Sequence, residues 1–249
     1  MARWVILEGI DGAGKSTVTH WLYERFKSIL PAVWKVSETS NYDVSTDRIV
    51  SKLIRRASSE RDPFRSAILF SAARLFIPKS YPFHDNFDDE VVIFRDRCFL
   101  STVAYQGVRM AEELSKSCNF PLRPARRLLF DLLKRCDDAS FDSALLVLLR
   151  VDPEVSYRRQ RDCFDIPEHK DKGKEIEFLN QVSENYVEII REFQDFLPSW
   201  SFVYVDANGG LSEVTYRVEK FVLEWLSLQG LVKNTKLGGN DGYGFQAFG

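Results

Sequence analysis

The sequence predicts an α/β fold of three layers, a five-stranded parallel sheet with helices on both faces. Three observations carry that expectation. Short apolar runs alternate with helix-length stretches along the chain. A glycine-rich loop lies between the first apolar run and the first helical stretch. At 249 residues the chain is long enough to bury one substantial core. Such alternation places parallel strands in the middle and helices outside, with ligands beyond the carboxyl ends of the strands.

The first strand is expected over Trp4–Leu7, an apolar run suited to burial. Gly9-Ile10-Asp11-Gly12-Ala13-Gly14-Lys15-Ser16-Thr17 follows, and a helix over Lys15–Ile29 comes next. Gly9, four residues, then Gly14, Lys15 and Ser16 is the spacing of a phosphate-binding loop, in the strand–loop–helix context that it needs. Glycines let the backbone curl until successive N–H groups point at a phosphate, and the helix start adds the positive end of its dipole. Lys15 brings a mobile charge to the β- and γ-phosphates, and the Ser16 hydroxyl can ligate Mg2+.

Further strands are expected over Ala32–Val36, Val91–Phe94, Ala144–Val151 and Phe202–Val205, and further helices over Asp47–Ala57, Pro63–Pro78, Leu100–Lys116, Arg123–Cys136, Pro153–Arg161, Lys174–Leu197 and Leu211–Leu228. Asp96 arrives where the Val91 strand should end, so its carboxylate faces the phosphate loop and can hold Mg2+. Arg97 beside it can neutralise phosphate oxygens. Taken alone, the pair also reads as a strand ending in solvated charge. Ser101 and Tyr105 are spaced to share a helix face, and so are Phe70 and Arg74. An aromatic ring and an arginine on one stripe can stack on and hydrogen-bond a base, although Phe70 also reads as core and Arg74 as a solvated tip. Arg158-Arg159-Gln160-Arg161 ends the Pro153 helix, and the polar stretch after it holds Pro167 and Gly173. Residues 158–174 therefore read either as a lid that excludes water or as an ordinary surface loop. Residues 1–228 form one domain in this reading. The Gly-rich end, 229–249, has no periodicity and reads as a flexible tail.

The net charge of −2 suggests neither a nucleic-acid wrapper nor a polybasic membrane binder. The longest apolar run, Ala144–Leu149, is stopped by Arg150, well short of the roughly twenty residues that span a bilayer. Glu8 interrupts the first apolar run too early for a signal peptide. Cys98, Cys118, Cys136 and Cys163 make no CxxC pair, so free thiols in a reducing, cytoplasmic compartment are expected rather than zinc.

The run Glu8–Thr17 resembles the phosphate loop of thymidylate kinases. Asp96-Arg97, Leu100-Ser101-Thr102 and Ala104-Tyr105-Gln106-Gly107 resemble the second signature of that family, Leu69–Arg74 its base-binding helix, and Asp206-Ala207 its adenine-side turn. The likeness runs from about Ala2 to Trp225. It implies a P-loop kinase fold and transfer of the ATP γ-phosphoryl group to a deoxynucleoside monophosphate, chiefly dTMP, commonly in a homodimer. It further implies that the loop, Gly9 to Thr17 with Gly12, Ala13 and Gly14, holds ATP. Lys15 would act on the donor phosphates, with Ser16 and Asp96 on Mg2+. Asp11 would contact the acceptor sugar and help to place its phosphate, and Arg97 would bridge the acceptor phosphate and the transferring group. Phe70 would stack on thymine, Arg74 would bond its carbonyl edge, Tyr105 would lie against the deoxyribose with Ser101 beside it, and Gln106 would help to hold the base. Members with glycine at the position of Gly12 usually carry a catalytic arginine in the lid. The corresponding Asp-Arg pair is here Asp171-Lys172, so Lys172, or Arg158, Arg159 or Arg161, would supply that charge. After the second strand Glu38 remains but its usual arginine neighbour is missing, which leaves Arg48 or Arg55, with Arg48 preferred, to meet the acceptor phosphate. Cys98 stands where tyrosine or histidine is common. These departures surround the acceptor side, so another pyrimidine monophosphate, dUMP or a modified deoxyuridylate, is the rival acceptor. A non-catalytic ATP-binding switch is a rival of another class, disfavoured because a pure binder would not need Asp11, Asp96 and Arg97 together. A nucleic-acid ATPase is disfavoured by the balanced charge.

Overall fold

A computed structural model describes residues 2–37, 52–53, 56–57, 62–75, 91–137, 143–163 and 171–232. Five strands, β1 Ala2–Glu8, β2 Val33–Ser37, β3 Val91–Asp96, β4 Ala144–Arg150 and β5 Trp200–Asp206, form one sheet in the order β2-β3-β1-β4-β5. Every pairing is parallel. Val5, Ile6, Leu7 and Leu145–Val147 are fully buried, so both faces of the sheet are covered. The order places β1 at the switch point: the chain leaves it for β2 and β3 on one side and returns for β4 and β5 on the other. The crevice beyond the carboxyl end of β1 is where such sheets bind ligands.

The helices are α1 Lys15–Phe26, α2 Pro63–Leu75, α3 Phe99–Thr102, α4 Val108–Cys118, α5 Leu122–Arg135, α6 Pro153–Cys163, α7 Lys172–Phe193 and α8 Leu211–Leu228. Helix α1 packs on β2, β3 and α8, while α7 packs on α6 and on the turn between α3 and α4. An aromatic seam closes the α5–α7 layer: Phe130 and Phe193 stack with centroids 4.3 Å apart, and Phe99 meets Phe130 edge-on at 5.4 Å.

Several element expectations change, and the first helix, expected to reach Ile29, ends at Phe26. The helix expected over Leu100–Lys116 is broken by a π-helical turn, Val103–Gly107, which widens the helix where Tyr105 and Gln106 sit. The helix expected from Lys174 starts at Lys172, because the Asp171 carboxylate caps it by accepting from the N–H groups of Gly173 and Lys174. It ends at Phe193, where a short 3-10 turn, Gln194–Phe196, takes over. Of the expected Asp47–Ala57 helix, Lys52, Leu53, Arg56 and Ala57 are helical, and the rest lies outside the described residues. Residues 158–163 and 172–174 of the expected lid are helical, while 164–170 lie outside the described residues. So does the tail from 233 onward.

Candidate active site

The phosphate loop is shaped by positive-φ glycines. Gly12 has φ 80°, and a Cβ there would stand 2.5 Å from the Ser156 carbonyl oxygen. An arginine at this position would need α6 to move. Helix α1 begins with no acidic residue in its first turn and no side-chain cap, so its N-terminal N–H groups and dipole stay open to an anion. Lys15 is almost buried and folds back on the loop, its Nζ donating to the Ile10 carbonyl at 2.7 Å. Burial first, and then the charge of Arg97, push the lysine down to about 8, although Asp11, Asp96 and Glu8 pull the other way. Thr17 is exposed on α1 beside Ser16.

Register brings the second signature against this loop. Leu7 of β1 aligns with Asp96 of β3, and the Arg97 N–H extends the ladder by donating to the Leu7 carbonyl at 3.0 Å. Arg97 then turns left-handed, φ 68°, a conformation that costs energy for a residue with a Cβ. The buried Asp96 accepts from the Ser16 hydroxyl through Oδ2, while its buried Oδ1 has no partner among the described residues. Arg97 pairs with Asp11, donates to Ser101 Oγ at 3.0 Å and lies over the Tyr105 ring at 5.6 Å. Partial desolvation would raise the Asp11 carboxyl, but Arg97 and then Lys15 hold it below the usual carboxylate range. The Asp11 N–H donates to the Tyr105 hydroxyl at 2.9 Å. Burial and the Asp11 charge push that phenol upward, so it keeps its proton.

The residues that sequence reasoning missed lie behind this layer. Glu8, fully buried, accepts from the Cys98 N–H at 2.7 Å, from Ser101 Oγ at 2.6 Å and from the Tyr186 hydroxyl at 2.9 Å. Arg95, also buried, donates to the Arg97 carbonyl at 2.8 Å and to Asp137 at 2.7 Å, and Asp137 in turn accepts from the Phe99 N–H at 2.8 Å. Two buried carboxylates thus hold the backbone on the C-terminal side of the left-handed residue. The available signal was a charge at the end of one apolar run and another inside the next; only the register shows what they bond.

The remaining candidates fall around this centre. Phe70 and Arg74 share a face of α2, with the guanidinium 6.0 Å from the ring, and the buried Arg74 donates to Thr102 Oγ1. Ser101 is buried behind Arg97. The Gln106 carboxamide oxygen is buried without a partner among the described residues. Asp206 ends β5, with its carboxylate accepting from the Asn208 N–H, and Ala207 is buried. Arg159, weighed as a mobile cation, is instead tied down by donating to the carbonyls of Ala207, Asn208 and Gly209 at 2.8–3.2 Å. Ser156 and Gln160, on the next face of α6, both donate to the Asp11 carbonyl. Arg158, Arg161 and Lys172 are exposed, with no ion-pair partner among the described residues. Glu38, Arg48 and Arg55 lie outside the described residues. Among the described residues no group of three His, Cys, Asp or Glu side chains converges as a metal cluster, and no helix is long and apolar enough to cross a membrane.

The family model for thymidylate kinase matches residues 7–215. The chain is 26% identical over 228 residues to a probable thymidylate kinase of Methanobrevibacter smithii, covering 90% of this chain and 96% of that protein. It is 28% identical over 231 residues to a probable thymidylate kinase of Sulfurisphaera tokodaii, covering 89% and 96%. It is 26% identical over 238 residues to a thymidylate kinase of Syntrophotalea carbinolica, covering 92% and 99%.

Proposed function

Because the chain belongs to the thymidylate kinase family, we propose that it transfers the γ-phosphoryl group of ATP to dTMP, giving dTDP and ADP, with Mg2+ as the assisting ion. The observation that carries this reading is the placement of Arg97. A strained backbone and two buried carboxylates aim its guanidinium across the mouth of the phosphate loop, beside Asp11 and Tyr105. Phosphoryl transfer needs alignment and positive charge more than covalent help.

The donor phosphates would lie on the loop N–H groups, with Lys15 exchanging the Ile10 carbonyl for phosphate oxygens. Asp206 and Ala207 would flank the adenine, in the turn that Arg159 secures. Arg97 would exchange part of its pairing with Asp11 for the acceptor phosphate, with Asp11 turned to the sugar. Tyr105 would crowd the ribose 2′ position, with Ser101 behind it, and Phe70, Arg74 and Gln106 would take the base. Glu38 and Arg48 remain proposed for the acceptor phosphate. Arg158, Arg161 and Lys172 remain the proposed sources of further positive charge, and their exposure leaves them free to move.

Ser16 and Asp96 fit Mg2+, since both offer hard oxygen ligands and the buried Asp96 Oδ1, without a partner among the described residues, is one that a divalent cation would satisfy. When bound, the ion would neutralise charge on the phosphate oxygens. A homodimer in the cytoplasm belongs to the same reading. Exposed Leu128 and Leu132 on α5 support an apolar contact surface, which sedimentation would test.

The deciding experiment is a coupled assay of ADP formation with ATP and each nucleoside monophosphate in turn. Stimulation by dTMP is the expected result. Stimulation only by dUMP or a modified deoxyuridylate would change the acceptor. Stimulation by none would replace the enzyme with an ATP-binding switch.

A further inference from the structure

Resting on the kinase reading above, we infer that helix α7 holds the reactive side of the site in place, with Tyr186 and Glu8 as positioning residues for Arg97 and Asn185 for the turn that carries Tyr105. The argument begins with a proton count. A serine hydroxyl has one proton to give. Ser101 gives its proton to Glu8 Oε2 at 2.6 Å, so towards Arg97 Nη1, 3.0 Å away, it can only accept. Glu8 therefore fixes where the Ser101 hydroxyl proton points and leaves a lone pair facing Arg97. The Tyr186 hydroxyl stands 2.9 Å from both Ser101 Oγ and Glu8 Oε2 and closes the triangle. Burial and the Glu8 charge push this phenol well up, so it remains a donor. Through its other oxygen Glu8 takes the Cys98 N–H, the first one after the left-handed residue. One carboxylate thus holds both the backbone and, through Ser101, the side chain of Arg97.

The neighbouring residue on α7 acts on the other half of the site. Asn185 donates to the Ala104 carbonyl at 2.8 Å, inside the π-helical turn, and accepts from Gln181 at 3.1 Å. The rings of Phe178 and Tyr186 meet Tyr105 edge-on, at 6.0 and 6.4 Å. Asn185 and Tyr186 are both buried. Buried polar groups are costly unless satisfied. On a helix whose other buried positions are Leu179, Val182, Ile189, Ile190 and Phe193, these two polar groups find their partners in the segments that bear Arg97 and Tyr105. An apolar pair could pack the layer, but it would not aim a guanidinium.

The test is Tyr186→Phe, which keeps the ring and deletes the hydroxyl. With ATP and dTMP, kcat is expected to fall about tenfold, with the KM for ATP within about twofold, because small misplacements of an aligning group act on the chemical step. Combined with Arg97→Lys, Tyr186→Phe is expected to add less than about a twofold further loss, since the two residues act as one unit. A purely structural role would make the losses multiply. Independently of activity, the Arg97 side-chain nitrogen resonances, assigned by their disappearance in Arg97→Lys, are expected to shift or broaden in Tyr186→Phe. An unchanged kcat, fully multiplicative losses, or an unmoved Arg97 signal would each overturn the inference. A parent chain stimulated by no monophosphate would sink the kinase reading, and the resonance measurement alone would then decide the positioning role.

Discussion

At the scale of single residues, the site is organised by charges that satisfy one another. Lys15 caps the Ile10 carbonyl and Arg97 pairs with Asp11. In the proposed reaction each of these contacts would give way to a phosphate oxygen. Lys15 has a pKa of about 8 in the folded chain against its ordinary 10.5. Between those values the unfolded chain binds more protons, so this group makes the ligand-free fold more stable as pH rises across that window. Triphosphate binding is expected to restore the proton. At pH 9, calorimetry of ATP binding in buffers of different ionisation heat is expected to show uptake of about one proton per site, falling towards zero near pH 7. No uptake at pH 9 would remove Lys15 from the donor phosphates. Arg97→Lys keeps the charge but loses the planar fork, and is expected to lower kcat about a hundredfold with little change in melting temperature. Steady-state kinetics beside a thermal melt checks both parts.

At the scale of elements, the features that serve the site depart from regular geometry, and those that end the elements obey it. The π-helical turn places Tyr105 over Arg97 and is tied to α7 by Asn185. The end of α8 is ordinary by comparison. Gly230, φ 77°, donates to the Ser227 carbonyl, and Leu231 donates to the Leu226 carbonyl, the paired bonds of a Schellman cap. Leu231 and Val232 then pack against the core. Gly230→Ala is expected to cost about 1 kcal/mol of stability, because only glycine adopts this conformation freely, and to leave kcat unchanged. Denaturant unfolding measures the first and the coupled assay the second. A neutral substitution would mean that α8 ends without this cap in solution.

At the scale of the whole molecule, the site is a meeting of strand ends. The loop after β1, the left-handed residue after β3, the start of α6 after β4 and the turn after β5 all lie beyond the carboxyl edge of one sheet. Helix α6 joins two of them, since Ser156 and Gln160 bond the Asp11 carbonyl while Arg159 bonds the turn after β5. No residue beyond 232 is assigned to the site, so deleting 233–249 is expected to leave both kcat and melting temperature unchanged. Deleting from 230 is expected to lower the melting temperature alone. Loss of turnover in a folded 1–232 chain would give the final segment a role at the site.

The chain alone determined the α/β class, the strands to within two residues and the phosphate loop, because each is written in a few neighbouring residues: an apolar run, a glycine spacing, an acid near where a strand stops. It also named Arg97 and Tyr105, which share one signature. It gave no role at the site to Glu8, Arg95, Asp137 or Tyr186. Tyr186 meets Glu8 across 178 residues of chain, and a buried carboxylate has the same letter as a solvated one. Only the tertiary structure, by stacking β1 against β3 in one register and bringing Tyr186 of α7 onto Glu8, decided which charges were sealed from water and so which side chains hold Arg97 in place.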